Sequence, residues 1–282
     1  MKKTIRILVV ALLVGVLSVG AVLGPRRVGR RVVGTWLLLT GHLINVDGHR
    51  IQLECRGVGS PTVVMDSGLN MTMDTWGRVP DDVAGFTRVC TYNRAGLGYS
   101  DAGPKPRTSK VIVNELDALL VNAGITGPYV LVGHSVGGLN VRLYASEHPD
   151  KVVGMVLIDA SDENEYQRLA ALKSGAEKEK YLQHEGGGNF EGVDLLASAE
   201  ELRGSGPIHA MPLLVLTANQ RQESEEARVI RELQTELVKL VPNGKQVIAE
   251  NSGHFIQLDR PFLVTDSILS VVRASREHST SL

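Results

Sequence analysis

The chain has 282 residues, of which 43% are apolar and 22% charged, the balance of a globular protein with a real core. Its formal net charge of −1 conceals an asymmetry, because seven of its 30 Lys and Arg stand in residues 1–31, where there is no acid. The remainder is net negative by eight, which argues against nucleic acid as a partner.

In chain order, the first feature is Ile5 to Gly24, twenty residues interrupted by one charge, Arg6, and one serine, Ser18. As a helix it would span about 30 Å, the thickness of a bilayer core. Residues 1–44 are therefore expected to be a membrane anchor or an exported signal segment, with a helix buried in the domain as the third reading. Positive charges on both sides leave the orientation undecided. The shorter apolar stretch Val32–Leu39 reads either as an interfacial helix anchored by Trp36 or as a juxtamembrane helix with no lipid role. The expected localisation is membrane-anchored or exported.

From about residue 45 short apolar runs alternate with helical patterns. Asp47-Gly48 ahead of Arg50–Cys55 is a hairpin signal. Pro61–Met65, Thr87–Tyr92, Tyr129–Val132, Val152–Ile158, Leu213–Thr217 and Gln246–Ala249 are apolar runs suited to a sheet buried on both faces. Ile112, Leu116, Leu119 and Leu120 form one helical stripe, and Leu139, Leu143 and Tyr144 another that Pro149 stops. Alternating strands and helices predict an α/β class with a mostly parallel sheet. The interval Ser161–Ala210 holds no strand and breaks at Gly186-Gly187-Gly188. It reads as an inserted helical lid or else as a disordered loop.

The chemistry begins at Gly133-His134-Ser135-Val136-Gly137. This G-x-S-x-G lies directly between a strand and a helix, where a strained turn lifts the serine hydroxyl above the sheet edge. Ser135 is the candidate nucleophile. Its base should come last in chain order, and His254 follows the final strand in Ser252-Gly253-His254-Phe255. The other histidines lie in terminal segments, at helix ends or in the inserted interval, and His134 is expected to point elsewhere. An oxyanion needs two backbone donors. The amide of Val136 is one candidate, and the amide of Leu69, after Ser67-Gly68, is the other.

Together with Tyr92-Asn93-Arg94-Ala95-Gly96-Leu97-Gly98-Tyr99-Ser100, these motifs in this order resemble the α/β-hydrolase superfamily, in its lidded serine-esterase-like branch, from about Asn45 to Leu269. The resemblance implies an eight-stranded, mostly parallel sheet in spatial order 1-2-4-3-5-6-7-8, flanked by helices, with the lid of about residues 161–210 inserted after strand six. Residues 45–282 then form the hydrolase domain. Ser67 stands where the family usually carries a histidine, and the usual acid after strand seven is missing, since Leu213–Thr217 runs into Ala218-Asn219-Gln220-Arg221. The third triad member is therefore assigned to Asp159, at the end of strand six, an arrangement similar to that of some dehalogenases of this fold, which attack with aspartate where this chain has Ser135; Glu223 and Asp162 are the alternatives. The same topology sets the strands of Cys55 and Cys90 side by side, so these two are expected to form a disulfide if the domain is exported, with two buried thiols as the alternative.

The expected function is hydrolysis of a small-molecule carboxylic ester through an acyl-enzyme, with Ser135, His254 and Asp159 catalytic and the Leu69 and Val136 amides as oxyanion hole. Neither a metal nor another cofactor is implied, because no metal-ligand spacing and no phosphate-cradling loop is present. The same triad could instead serve carbon–carbon cleavage or perhydrolysis, and a slow-turnover binding protein is the alternative from another class.

Overall fold

The computed structural model describes residues 41–184, 189–220 and 223–279. Its first two strands, β1 (His42–Val46) and β2 (His49–Arg56), form the hairpin that Asp47-Gly48 predicts. Both turn residues take positive φ, 47° and 97°, and the Gly48 amide donates to Asn45 Oδ1 at 3.1 Å. That is the backbone a two-residue hairpin loop needs to match the twist of its strands.

The remaining strands are β3 (Thr62–Asp66), β4 (Val89–Asn93), β5 (Tyr129–His134), β6 (Val152–Ile158), β7 (Leu213–Ala218) and β8 (Lys245–Ala249). They complete one eight-stranded sheet in the expected order, β1-β2-β4-β3-β5-β6-β7-β8, antiparallel at β1–β2 and β2–β4 and parallel from β4 onward. Every residue of β3, β4 and β5 is buried, which is why these strands read as unbroken apolar runs rather than alternating ones.

The period of two then divides them between two cores. Val64 and Leu131 face helices α2 (Ser109–Asn122) and α3 (Gly137–Glu147), packing with Leu116, Leu120, Leu139 and Leu143. Val63, Met65, Val130 and Val132 pack with Val79 and Val83 of α1 (Val79–Ala84) and with Ile268 and Val272 of the last helix. Truncating one of these leucines to alanine would cost about 2–5 kcal/mol.

The described residues between β6 and β7 form the helices α4 (Glu165–Ala171), α5 (Gly175–His184) and α6 (Leu195–Arg203). Among the described residues of that interval there is no strand, although Val193 makes an isolated bridge to Arg107. The glycine break falls outside the described residues. After β7 come α7 (Glu225–Leu237), α8 (Ile256–Asp259) and α9 (Pro261–Ser279).

The expected membrane-anchored or exported localisation is corrected. No helix among the described residues is long and apolar enough to cross a membrane. Their longest helix, α9, has 19 residues but carries Asp266, Arg273, Arg276 and Glu277, charges that a bilayer core would have to desolvate. The run Ile5–Gly24, the stretch Val32–Leu39 and their proposed contact with a membrane lie outside the described residues.

Cys55 and Cys90 stand directly opposite each other in the β2–β4 ladder, Cα to Cα 4.1 Å, and are joined as a disulfide. The bond closes a loop across a sequence separation of 35, so its removal releases chain entropy to the unfolded state. Cys55→Ala with Cys90→Ala should lower stability by about 3–4 kcal/mol, read as a lower denaturant midpoint. A loss under about 1 kcal/mol would mean that the native protein does not depend on the bond.

Candidate active site

Ser135 follows β5 with φ +53°, in the left-handed region, and its amide donates to the Ile158 carbonyl at 3.2 Å. A non-glycine residue there is held by its surroundings at a cost of about 1–2 kcal/mol. Helix α3 starts two residues later, at Gly137. A Cβ on Gly137 would stand 2.3 Å from the Asp66 carbonyl oxygen and 2.7 Å from that of Ser67. Glycine is therefore what lets the start of α3 lie against the loop leaving β3, the loop that carries Leu69. Among the described residues, neither the Val136 nor the Leu69 amide meets an intramolecular acceptor. The first of them also lies at the positive end of the α3 dipole.

The loop after β8 brings in His254. Its Nδ1–H donates to Asp159 Oδ2 at 2.6 Å; the carboxylate is fully buried and the imidazole 37% exposed. Asp159 leaves β6 with φ +39°. Its amide donates to the Leu216 carbonyl at 2.8 Å, and its Oδ1 accepts from the Ala218 amide at 3.2 Å. The end of β7 thus aims the acid without supplying it. Of the alternatives, Asp162 accepts from the Asn164 amide at 2.8 Å and from its side chain at 3.0 Å. Glu223 is 86% exposed and paired with Arg231. Neither reaches His254.

Several groups around this site were not singled out from the sequence. His134, expected to point elsewhere, is fully buried with its ring centroid 4.7 Å from that of His254. Burial, reinforced by His254, pushes its pKa down to about 4, so the ring is neutral, and its Nε2–H donates to the His254 carbonyl at 3.0 Å. Asp259 holds the same loop by accepting from the Gly253 amide at 2.9 Å. At the start of α4, burial raises the Glu165 carboxyl to about 7, with the charge of Asp159 adding to the shift. The only local signals were the histidine inside G-H-S-x-G and the Asp259-Arg260-Pro261 helix start.

An apolar group of Ile112, Val136, Val193 and Leu195, with Leu69 and Tyr166 packed against it, joins the oxyanion-loop candidates to the segment between β6 and β7.

The family model for the alpha/beta hydrolase fold matches residues 61–186. The uncharacterized protein YqjL of Bacillus subtilis is 29% identical over 243 residues, covering 84% of this chain and 94% of the relative. Among solved structures, a bromoperoxidase from Bacillus anthracis has a TM-score of 0.62 at 16% identity, over 83% of this chain and all of its own. A thermophilic esterase from Thermogutta terrifontis has a TM-score of 0.59 at 19% identity, over 83% of this chain and 98% of its own. Identities this low speak to the fold. With its eight strands in this order and the family model matched across the segment that bears Ser135, the chain has the α/β-hydrolase fold.

Proposed function

We propose that the protein is a serine hydrolase that cleaves a carboxylic ester through an acyl-enzyme. The observation that carries this reading is the bond from His254 Nδ1 to the buried Asp159 at the sheet edge where Ser135 leaves β5. A proton fixed on Nδ1 leaves Nε2 with its lone pair, as a general base for the Ser135 hydroxyl. Ser135 Oγ attacks the ester carbonyl while His254 takes its proton, and Asp159 stabilises the imidazolium. The oxyanion accepts from the Val136 and Leu69 amides, a pair whose loss of one member costs about 100- to 1000-fold in rate. His254 returns the proton to the departing alcohol, and water then releases the acid by the same steps.

The catalytic domain in this reading begins with β1 at His42, three residues ahead of the expected boundary at residue 45, and has the segment of about 161–210 as its lid. The apolar group around Leu69, Val136 and Tyr166 favours a small or moderately apolar acyl group. Fluorophosphonate labelling followed by mapping of the modified residue tests the mechanism, and the expected adduct is on Ser135. Aryl esters assayed beside diketones and peroxide would separate ester hydrolysis from carbon–carbon cleavage and perhydrolysis. A burst without steady-state release would instead favour a binding protein.

A further inference from the structure

Arg94 directly follows β4 and is 2% exposed. A guanidinium has five N–H donors, and here each has an acceptor. Nη1 donates to Asp66 Oδ1 and to the Ser67 carbonyl at 2.6 Å. Nη2 donates to the Gly68 carbonyl at 2.7 Å and to Glu191 Oε2 at 2.9 Å, and Nε donates to Glu191 Oε1 at 2.6 Å. Glu191 is fully buried as a side chain and comes from the segment between α5 and α6, 97 residues away. It also exchanges two bonds with Asn70: its Oε2 accepts from the Asn70 amide at 2.8 Å, and its own amide donates to Asn70 Oδ1 at 3.0 Å.

The Ser67 and Gly68 carbonyls that accept from Arg94, and the Asn70 amide that Glu191 holds, all belong to the loop that leaves β3. In a trans peptide the carbonyl and the next N–H point in opposite directions. Holding the Gly68 carbonyl against Arg94 therefore turns the Leu69 amide the other way. The Asn70 amide on the far side of Leu69 is tied down by Glu191. The Leu69 amide between them meets no acceptor among the described residues.

We propose that the buried Asp66–Arg94–Glu191 bridge is a positioning device for the oxyanion loop, in which Glu191 ties that loop to the segment inserted between β6 and β7. The proposal rests on the hydrolase reading for its catalytic purpose. Arg94 and Glu191 touch no reacting atom in it; they act through the Leu69 amide. Burial opposes the charge on Arg94, but Glu191 and Asp66 outweigh it and hold the guanidinium well above its usual pKa. Burial opposes the charge of Glu191 too, but Arg94 outweighs it and lowers that carboxyl, whereas at Asp66 burial wins and raises it.

Glu191→Gln is the discriminating substitution because it keeps the shape and fails electronically. Both carboxylate oxygens accept from Arg94, so either orientation of the amide sets an NH2 group against an N–H donor. In the full-length protein, kcat for an aryl acetate should fall about 10- to 100-fold with KM within about threefold, since a donor to the oxyanion matters most in the transition state. The pH–rate profile should keep its midpoint, because the His254–Asp159 pair is untouched. Hydrogen exchange at the Asn70 amide, which Glu191 holds, should rise at least about tenfold while residues 129–147 stay unchanged.

Unchanged exchange in the loop, or a kcat within about twofold of wild type, would overturn the proposal. Should Glu191→Gln not fold, Glu191→Asp decides. It keeps the charge but withdraws the carboxylate by one methylene, and faster exchange at Asn70 is expected; unchanged exchange there counts against the bridge. Wild-type protein that fluorophosphonate leaves unlabelled would sink the hydrolase reading and not the positioning claim, which the exchange measurement decides alone.

Discussion

Replacing Ser135 by alanine is expected to abolish ester turnover, by more than about a thousandfold, with the fold left intact. The loss should be large because the serine oxygen is the atom that forms the acyl bond, and no second hydroxyl stands in the elbow to replace it. Binding and the two backbone donors would survive, leaving only the modest acceleration that charge stabilisation supplies to attack by water. The fold should tolerate the change because the strained backbone, φ +53°, is held by the Ser135 amide on the Ile158 carbonyl and by the start of α3. Alanine keeps both of those contacts. The measurement is kcat/KM on an aryl ester beside the denaturant midpoint. A folded Ser135→Ala protein that retains a tenth of the activity would remove Ser135 from the mechanism.

Asp159→Asn should be nearly as damaging, lowering the maximal rate by about 10⁴ with little change in stability. The reason lies in the two bonds of the carboxylate. Oδ1 accepts from the Ala218 amide and Oδ2 from His254 Nδ1. An asparagine satisfies the Ala218 amide only with its carbonyl, which leaves its NH2 facing His254. The imidazole must then present a lone pair at Nδ1 and carry its proton on Nε2, so it can no longer take one from Ser135. Asparagine also tolerates the left-handed backbone that Asp159 adopts, φ +39°. Glu223→Gln is the companion measurement, and it should leave the rate unchanged because Glu223 is exposed and pairs only with Arg231 among the described residues. If the two results came out reversed, the acid would belong after β7.

The sheet and the candidate nucleophile were legible in the chain because their determinants are local. A strand buried on both faces is largely apolar, so Tyr129–Val132 and Val152–Ile158 announce themselves without any knowledge of their neighbours. The turn around Ser135 is equally local, since the glycines that let strand, serine and helix pack so closely lie within two or three residues of it. The first hairpin followed from Asp47-Gly48 in the same way.

Which acid meets His254 was not a local matter. Asp159, Asp162 and Glu223 all stand near strand ends, and composition does not separate them. Only the register of β6 against β7, with β8 returning His254 to the same edge, brings one carboxylate to 2.6 Å of the ring while another caps its own turn and the third faces solvent. Likewise Arg94 could be seen as part of a family motif, but not as the partner of Glu191 across 97 residues. Periodicity and turn chemistry act over a few residues, so a sequence can state them directly. The pairing of buried charges and of Cys55 with Cys90 is settled where distant segments exclude water together, and that happens only once the chain has folded.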